Sequence, residues 1–188
     1  MQRNRLRRSE LGALKGGDLL TKEQIEKEIS RLEAVPEQKR TPEEVRRLEV
    51  LKDTRLFDSE YYVFVRNGKG GRERLSPIIG KNAEQIVERI RNTPDGEKVW
   101  QHVHKCADIH AYRAEYATDI YRKYARPIEE IPYDKVNKGT GKRYQSEVYS
   151  CRKDEAGKKL DKVAMLVCSK ALGHNRISVV ADNYIRGL

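Results

Sequence analysis

Four separated stretches of this 188-residue chain carry side chains able to move a phosphoryl group without a metal. Such a transfer needs fixed cations on the non-bridging oxygens, a nucleophile in line, and a proton for the leaving oxygen. Arginine suits the first task, because its guanidinium presents a planar fork of donors and stays charged. Electrostatic preorganisation of this kind is usually the largest single catalytic contribution. The first stretch is Leu6-Arg7-Arg8-Ser9-Glu10-Leu11, followed by Leu14 and Asp18. The second is Lys69, in a glycine-rich turn. The third is His110-Ala111-Tyr112-Arg113, whose i,i+3 spacing puts both polar heads on one helical face. The fourth is Leu172-Gly173-His174, with Tyr184 ten residues further on.

Taken singly, each stretch has an ordinary explanation. A His and an Arg at i,i+3 are common on a solvated helix, and a lysine in a hairpin turn is most often just hydrated. With ten tyrosines in the chain, any one of them is unremarkable. Four stretches together, with complementary chemistry, are much harder to dismiss. A rival constellation is His102, His104, Cys106 and His110. These are metal-ligand types, but i,i+2 steps scatter them around a helix, and no second cluster completes a site. No metal and no cofactor are therefore expected.

The elements that must position these residues are legible from pattern. Residues 9–20 read as a short helix marked by Leu11, Leu14 and Leu19. Thr21 with Gln24 forms a capping box for a helix carrying Ile25, Ile29 and Leu32. Thr41, Pro42 and Glu44 start a second helix carrying Val45, Leu48 and Leu51. Pro36 lies between them, so 21–56 reads as a charged helical hairpin. Residues 60–66 read as a strand, and Asn67-Gly68 with Gly70-Gly71 turn the chain into a returning strand at 72–78. Asn82 with Gln85 opens a helix that buries Ile86, Val87 and Ile90, and 95–105 also reads as helical. A helix over 108–125 is capped by Asp108, repeats Ile109, Tyr112, Tyr116, Ile120 and Tyr124, and is ended by Pro127. The segment 127–160 is polar, with a short strand at 146–152. A helix over 161–172 is stopped by Gly173, and 176–186 reads as a last short helix. The fold class expected is α+β, mainly helical, with a small antiparallel sheet holding Lys69.

Composition bounds the partners. Lys and Arg outnumber Asp and Glu by 39 to 29, for a net charge of +10, which favours a polyanion such as nucleic acid. Hydrophobic residues make up 37 %, enough for one modest core under a charged surface. The three cysteines form no CxxC pair, so neither a disulfide framework nor a zinc ribbon is expected, and the usage suits a reducing cytosol. The basic N-terminus is followed by no apolar stretch, and no run is long enough to span a bilayer.

In order and content the four stretches resemble the tyrosine recombinases, or phage integrases. LRRSELGALKGGDL looks like their first box, giving Arg7; Arg8 is the alternative if the register shifts by one. VRNGKGGRERLSPI looks like the hairpin bearing their catalytic lysine, giving Lys69. HAYR is similar to their HxxR box, giving His110 and Arg113. LGHNRISVVADNY is similar to their last box, giving His174 and the nucleophile Tyr184. The resemblance covers residues 6–188, with 21–56 and 127–160 matching only loosely. It implies that 1–188 is a single catalytic domain of that type, with 21–56 as a charged helical insertion. The helical core-binding domain that normally precedes the first box would be absent, so a fragment is expected.

The resemblance also implies a mechanism: Tyr184 attacks a scissile phosphate and forms a 3′-phosphotyrosyl link. Lys69 would protonate the leaving 5′ oxygen, Arg7 and Arg113 would clamp the phosphate, His110 would assist proton transfer and His174 would hydrogen-bond the phosphate. All six would gather in one basic cleft. Arg66, Arg72, Arg74 and Arg176 are expected to touch DNA phosphates rather than bases. The partners implied are double-stranded DNA and copies of the same chain, two on one site and four at synapsis, in a bacterial cytoplasm at the nucleoid. Two departures stand out: Arg5 occupies the place of a glycine, and the step from His174 to Tyr184 is one residue longer than in many relatives. The competing readings are a topoisomerase IB-like nicking and resealing enzyme and a DNA-binding regulator without catalysis.

Overall fold

The computed structural model describes residues 6–68, 70–131, 147–174 and 176–187. Among them the chain is α+β, with seven α-helices, short 3-10 turns and two antiparallel sheets, and roughly half of it is helical. The described residues fall into two compact units. The first runs up to Tyr112 and includes Ala171–Gly173; the second holds Arg113–Lys170 and the residues from His174 on.

In the first unit, α1 (Arg8–Ala13) opens at Arg7, whose N–H donates to the Glu10 carboxylate at 2.8 Å. The helix expected over 9–20 stops at Ala13. The Gly16 N–H donates to the Glu97 carbonyl at 3.1 Å, and a Cβ on Gly16 would run into the Thr93 carbonyl. The chain then makes a 3-10 turn, Gly16–Asp18, and enters β1 (Leu19–Thr21). The same contact explains why 95–105 is not helical. Val99 N–H donates to the Leu14 carbonyl at 2.9 Å, and Lys98 bridges to Lys15. This backbone is paired with the 14–16 segment, so the tertiary partner overrides local preference.

The hairpin over 21–56 forms as its caps direct. α2 (Lys22–Glu33) and α3 (Pro42–Lys52) both begin with reciprocal capping boxes, Thr21 with Gln24 and Thr41 with Glu44. Arg40 closes the other end of α2 by donating to the carbonyls of Leu32 and Glu33. Ile25, Ile29, Leu32, Leu48 and Leu51 are buried. Val45 is 39 % exposed, because α3 packs through its C-terminal half and its first turn projects into water. The sheet order is β1-β2-β3, with β2 (Tyr61–Val65) central and antiparallel to both β1 and β3 (Arg74–Pro77). Alternation along β2 divides its side chains between two faces. Val63 and Val65 join Leu6, Leu11, Leu14, Ile86, Val87, Ile90 and Val99 in a core with α1 and α4 (Ala83–Arg91). Tyr62 hydrogen-bonds the carbonyls of Thr54 and Phe57, and Phe64 lies under the Arg47 guanidinium, toward the helical hairpin.

The division between the units falls inside α5 (Ile109–Tyr124), which Asp108 caps through the Ala111 N–H at 2.9 Å. In the second unit α5 buries Arg113, Tyr116, Ala117, Ile120 and Tyr121. The expected marks Tyr112 and Tyr124 are only half-buried, so the buried stripe is rotated from the expected one. β4 (Val148–Ser150) pairs antiparallel with β5 (Lys159–Asp161), α6 (Lys162–Leu172) follows at once, and α7 (Ser178–Asn183) ends the described fold. Ser146 and most of the preceding polar stretch lie outside the described residues. No helix among the described residues is long and apolar enough to cross a membrane.

Asp161 knots this unit together. Its fully buried carboxylate accepts a bidentate pair from Arg126 at 2.8 and 2.9 Å and the N–H groups of Arg126 and Val163. Its own N–H donates to the Tyr121 phenol oxygen at 2.9 Å. Burial pushes the Asp161 carboxyl up, but the Arg126 and Val163 donors outweigh it and hold it below its ordinary value of 3.8. Its contribution to stability is therefore full above that value and is lost as pH falls through the lower folded value. Asp161→Asn is expected to lower unfolding stability by about 2 kcal/mol, because it removes charge from buried bonds. The loss should shrink in denaturant titrations carried below pH 3; a constant difference between pH 7 and pH 2.5 would contradict the assignment.

Candidate functional site

The second unit brings three of the expected residues together. Arg113 is only 3 % exposed on α5. Its Nη2 lies 3.3 Å from His174 Nε2, and the same Nε2 lies 3.2 Å from the Tyr184 hydroxyl. The guanidinium also sits over the Tyr184 ring, 5.5 Å from its centroid, and the His174 and Tyr184 rings are 5.3 Å apart. A guanidinium can only donate, so a hydrogen bond from Arg113 requires His174 Nε2 to carry its lone pair, with the ring proton on Nδ1. That single lone pair is then shared between Arg113 Nη2 and the Tyr184 hydroxyl. The arrangement sets a phenol against an imidazole, with a fixed cation beside both.

Local chain geometry sets these positions. Gly173 ends α6 in the left-handed region, φ +70°, where a side chain is strained. The next N–H, that of His174, reaches back to the Ser169 carbonyl at 2.8 Å, the Schellman pattern of a helix end. The Ser169 hydroxyl donates to the His174 carbonyl at 2.9 Å, so Ser169 holds the His174 backbone from both sides. Tyr184 follows the last residue of α7, and its N–H donates to the Val180 carbonyl at 3.0 Å. Its side chain is 8 % exposed, and Val180, Ala181 and Ile185 beside it are buried.

The first unit holds Arg7. Its Nη1 lies 3.5 Å from Glu10, whose side chain is 1 % exposed. Glu10 also takes a bidentate pair from Arg74 at 3.0 and 2.8 Å. Burial pushes the Glu10 carboxyl up, yet the Arg74 bonds, joined by those of Arg7, hold it below its ordinary range. Arg8 is engaged elsewhere. Its two Nη atoms donate to the carbonyls of Val103, His104, Lys105 and Ala107, fastening the loop that leads into α5. His110 is exposed in the first turn of α5. Lys69 lies outside the described residues; the Gly68 N–H donates to the Arg72 carbonyl at 2.9 Å.

The four arginines expected to meet phosphate divide. Arg72 and Arg176 are exposed, and Arg66 has a 60 % exposed side chain while pairing with Asp18 at 2.6 Å and stacking on Phe64. Arg74 is 12 % exposed and held by Glu10, so it faces inward. The sequence reading gave no role to Glu10 or Ser169. Glu10 was legible as the acid at the third position of a capped helix; Ser169 carried no signal. His102 and His104 have rings 6.2 Å apart, and no group of three or more metal-ligating side chains occurs among the described residues.

Comparison with known protein families, with curated proteins and with solved structures returns no match for this chain. The site therefore rests on its own geometry. That geometry predicts the Nδ1–H tautomer of His174. Long-range nitrogen–proton NMR spectra should show a protonated Nδ1 and an unprotonated Nε2 at neutral pH. A proton on Nε2 would sink the proposed acceptor role.

Proposed function

We propose that this chain is a tyrosine recombinase-type catalytic domain that cuts and rejoins double-stranded DNA. The observation that carries the reading is the Arg113–His174–Tyr184 contact, since a buried phenol, an accepting imidazole and a fixed cation within 3.3 Å suit a phenolic nucleophile. The four stretches in family order and the net charge of +10 support it. Tyr184 Oη attacks the phosphorus as its proton passes to His174 Nε2, 3.2 Å away, a role added to the phosphate hydrogen bond expected of His174. The P–O5′ bond breaks, Lys69 gives the departing oxygen its proton, and the 3′ phosphate remains esterified to Tyr184. Arg7 and Arg113 neutralise the non-bridging oxygens, and His110 assists proton transfer. Arg7 is preferred to Arg8 because the Arg8 donors are taken by four carbonyls.

A 5′ hydroxyl from a partner strand then displaces the phenol, so bond energy is conserved and no cofactor is invoked. Two copies on one DNA site and four at synapsis, in a bacterial cytoplasm at the nucleoid, complete the reading. A pool of nicked duplexes of randomised sequence tests it. The wild-type chain should leave an SDS-resistant protein–DNA adduct that maps to Tyr184, and Tyr184→Phe should leave none. Binding to the pool with no adduct would favour the non-catalytic regulator. Adducts on most sequences would favour the topoisomerase-like enzyme.

A further inference from the structure

We propose that Arg74 is a positioning residue for this reaction rather than a contact to the DNA backbone; the inference rests on the recombinase reading above. Both Nη atoms of Arg74 are engaged by the buried Glu10 carboxylate, at 3.0 and 2.8 Å. Leaving Glu10 for a phosphate would strand a buried charge, which is strongly unfavourable. The guanidinium is also the surface on which two loops rest. A Cβ on Gly68 would lie 2.7 Å from the Arg72 carbonyl and 2.8 Å from Arg74 Nη1, and a Cβ on Gly173 would lie 2.9 Å from Cδ, Nε and Cζ of Arg74. These glycines immediately precede Lys69 and His174 in the chain.

Glu10, meanwhile, takes the backbone N–H of Arg7 at 2.8 Å. One ion pair thus touches the main chain at or next to three residues of the proposed machinery. Arginine is required because a planar fork can grip the carboxylate at its tip while its flat stem packs against glycine; an ammonium offers neither.

The test compares wild type, Arg74→Gln and Gly68→Ala on the randomised nicked pool, with folding checked by circular dichroism. Two quantities are read: the single-turnover rate of adduct formation at saturating DNA, and the slope of log binding constant against log salt. A positioning role predicts a rate lower by about tenfold to a hundredfold in both variants. It also predicts an unchanged slope. Loss of a phosphate contact would instead reduce the slope by about 0.9 in Arg74→Gln, which removes the cation. That result, or wild-type rates in both variants, overturns the proposal. If Arg74→Gln does not fold, Gly68→Ala decides, because it keeps every charge and a wild-type rate in it overturns the proposal. No adduct from the wild-type chain removes the parent reading, and this one with it; an adduct formed normally by both variants removes this one alone.

Discussion

A carboxylate taken out of water remains charged only if donors surround it, and Glu10 meets that condition with the Arg74 guanidinium, the Arg7 N–H and the nearby Arg7 side chain. Much of the first unit is arranged by this requirement. α1 must begin at Arg7 so that its third residue can reach back. β3 must carry Arg74 at its first residue, beside the turn and opposite Val65. Gly68 and Gly173 must lack side chains where the guanidinium lies. Removing Glu10 would leave a largely buried arginine without its carboxylate, a far larger penalty than the net worth of the pair.

The second unit repeats the solution with different residues. Asp161 stands before α6 as Glu10 stands in the first turn of α1, and Arg126 supplies the fork. Between this knot and the helix end at Gly173, α6 is held in register by small buried groups. Ala164, Cys168 and Ala171 are buried, and the Cys168 thiol reaches the Ala117 carbonyl at 3.3 Å. This contact ties α6 to α5, the helix that carries Arg113.

Caps, turns and periodicity were legible in the sequence wherever a residue's local partners decide its conformation. Thr21, Thr41, Asp108 and Gly173 mark the helix limits that they were read to mark. The β-hairpin at 61–77 followed from its glycines and its β-branched and aromatic run. What failed was set at long range. Residues 95–105 carry apolar side chains that suit a helix, but the backbone of Glu97 and Val99 is paired with Gly16 and Leu14, far away in sequence. The site shows the same division. Arg113, His174 and Tyr184 were singled out through the resemblance, and the structure brings them together. Arg74 was assigned to phosphate because an arginine beside a turn looks free, and nothing local reveals that Glu10, 64 residues earlier, holds it.

α7 has six residues and no side-chain cap at its start. A helix that short does not sustain itself in water. It stays formed because Val180, Ala181 and Ile185 are packed out of solvent. The location of the Tyr184 oxygen is consequently governed by aliphatic volume on either side of it, and the polar contact to His174 only completes what those methyl groups begin. Changes of a single methylene at positions 180 or 185 would translate the phenol, making side-chain size there a dial on the reach of the tyrosine.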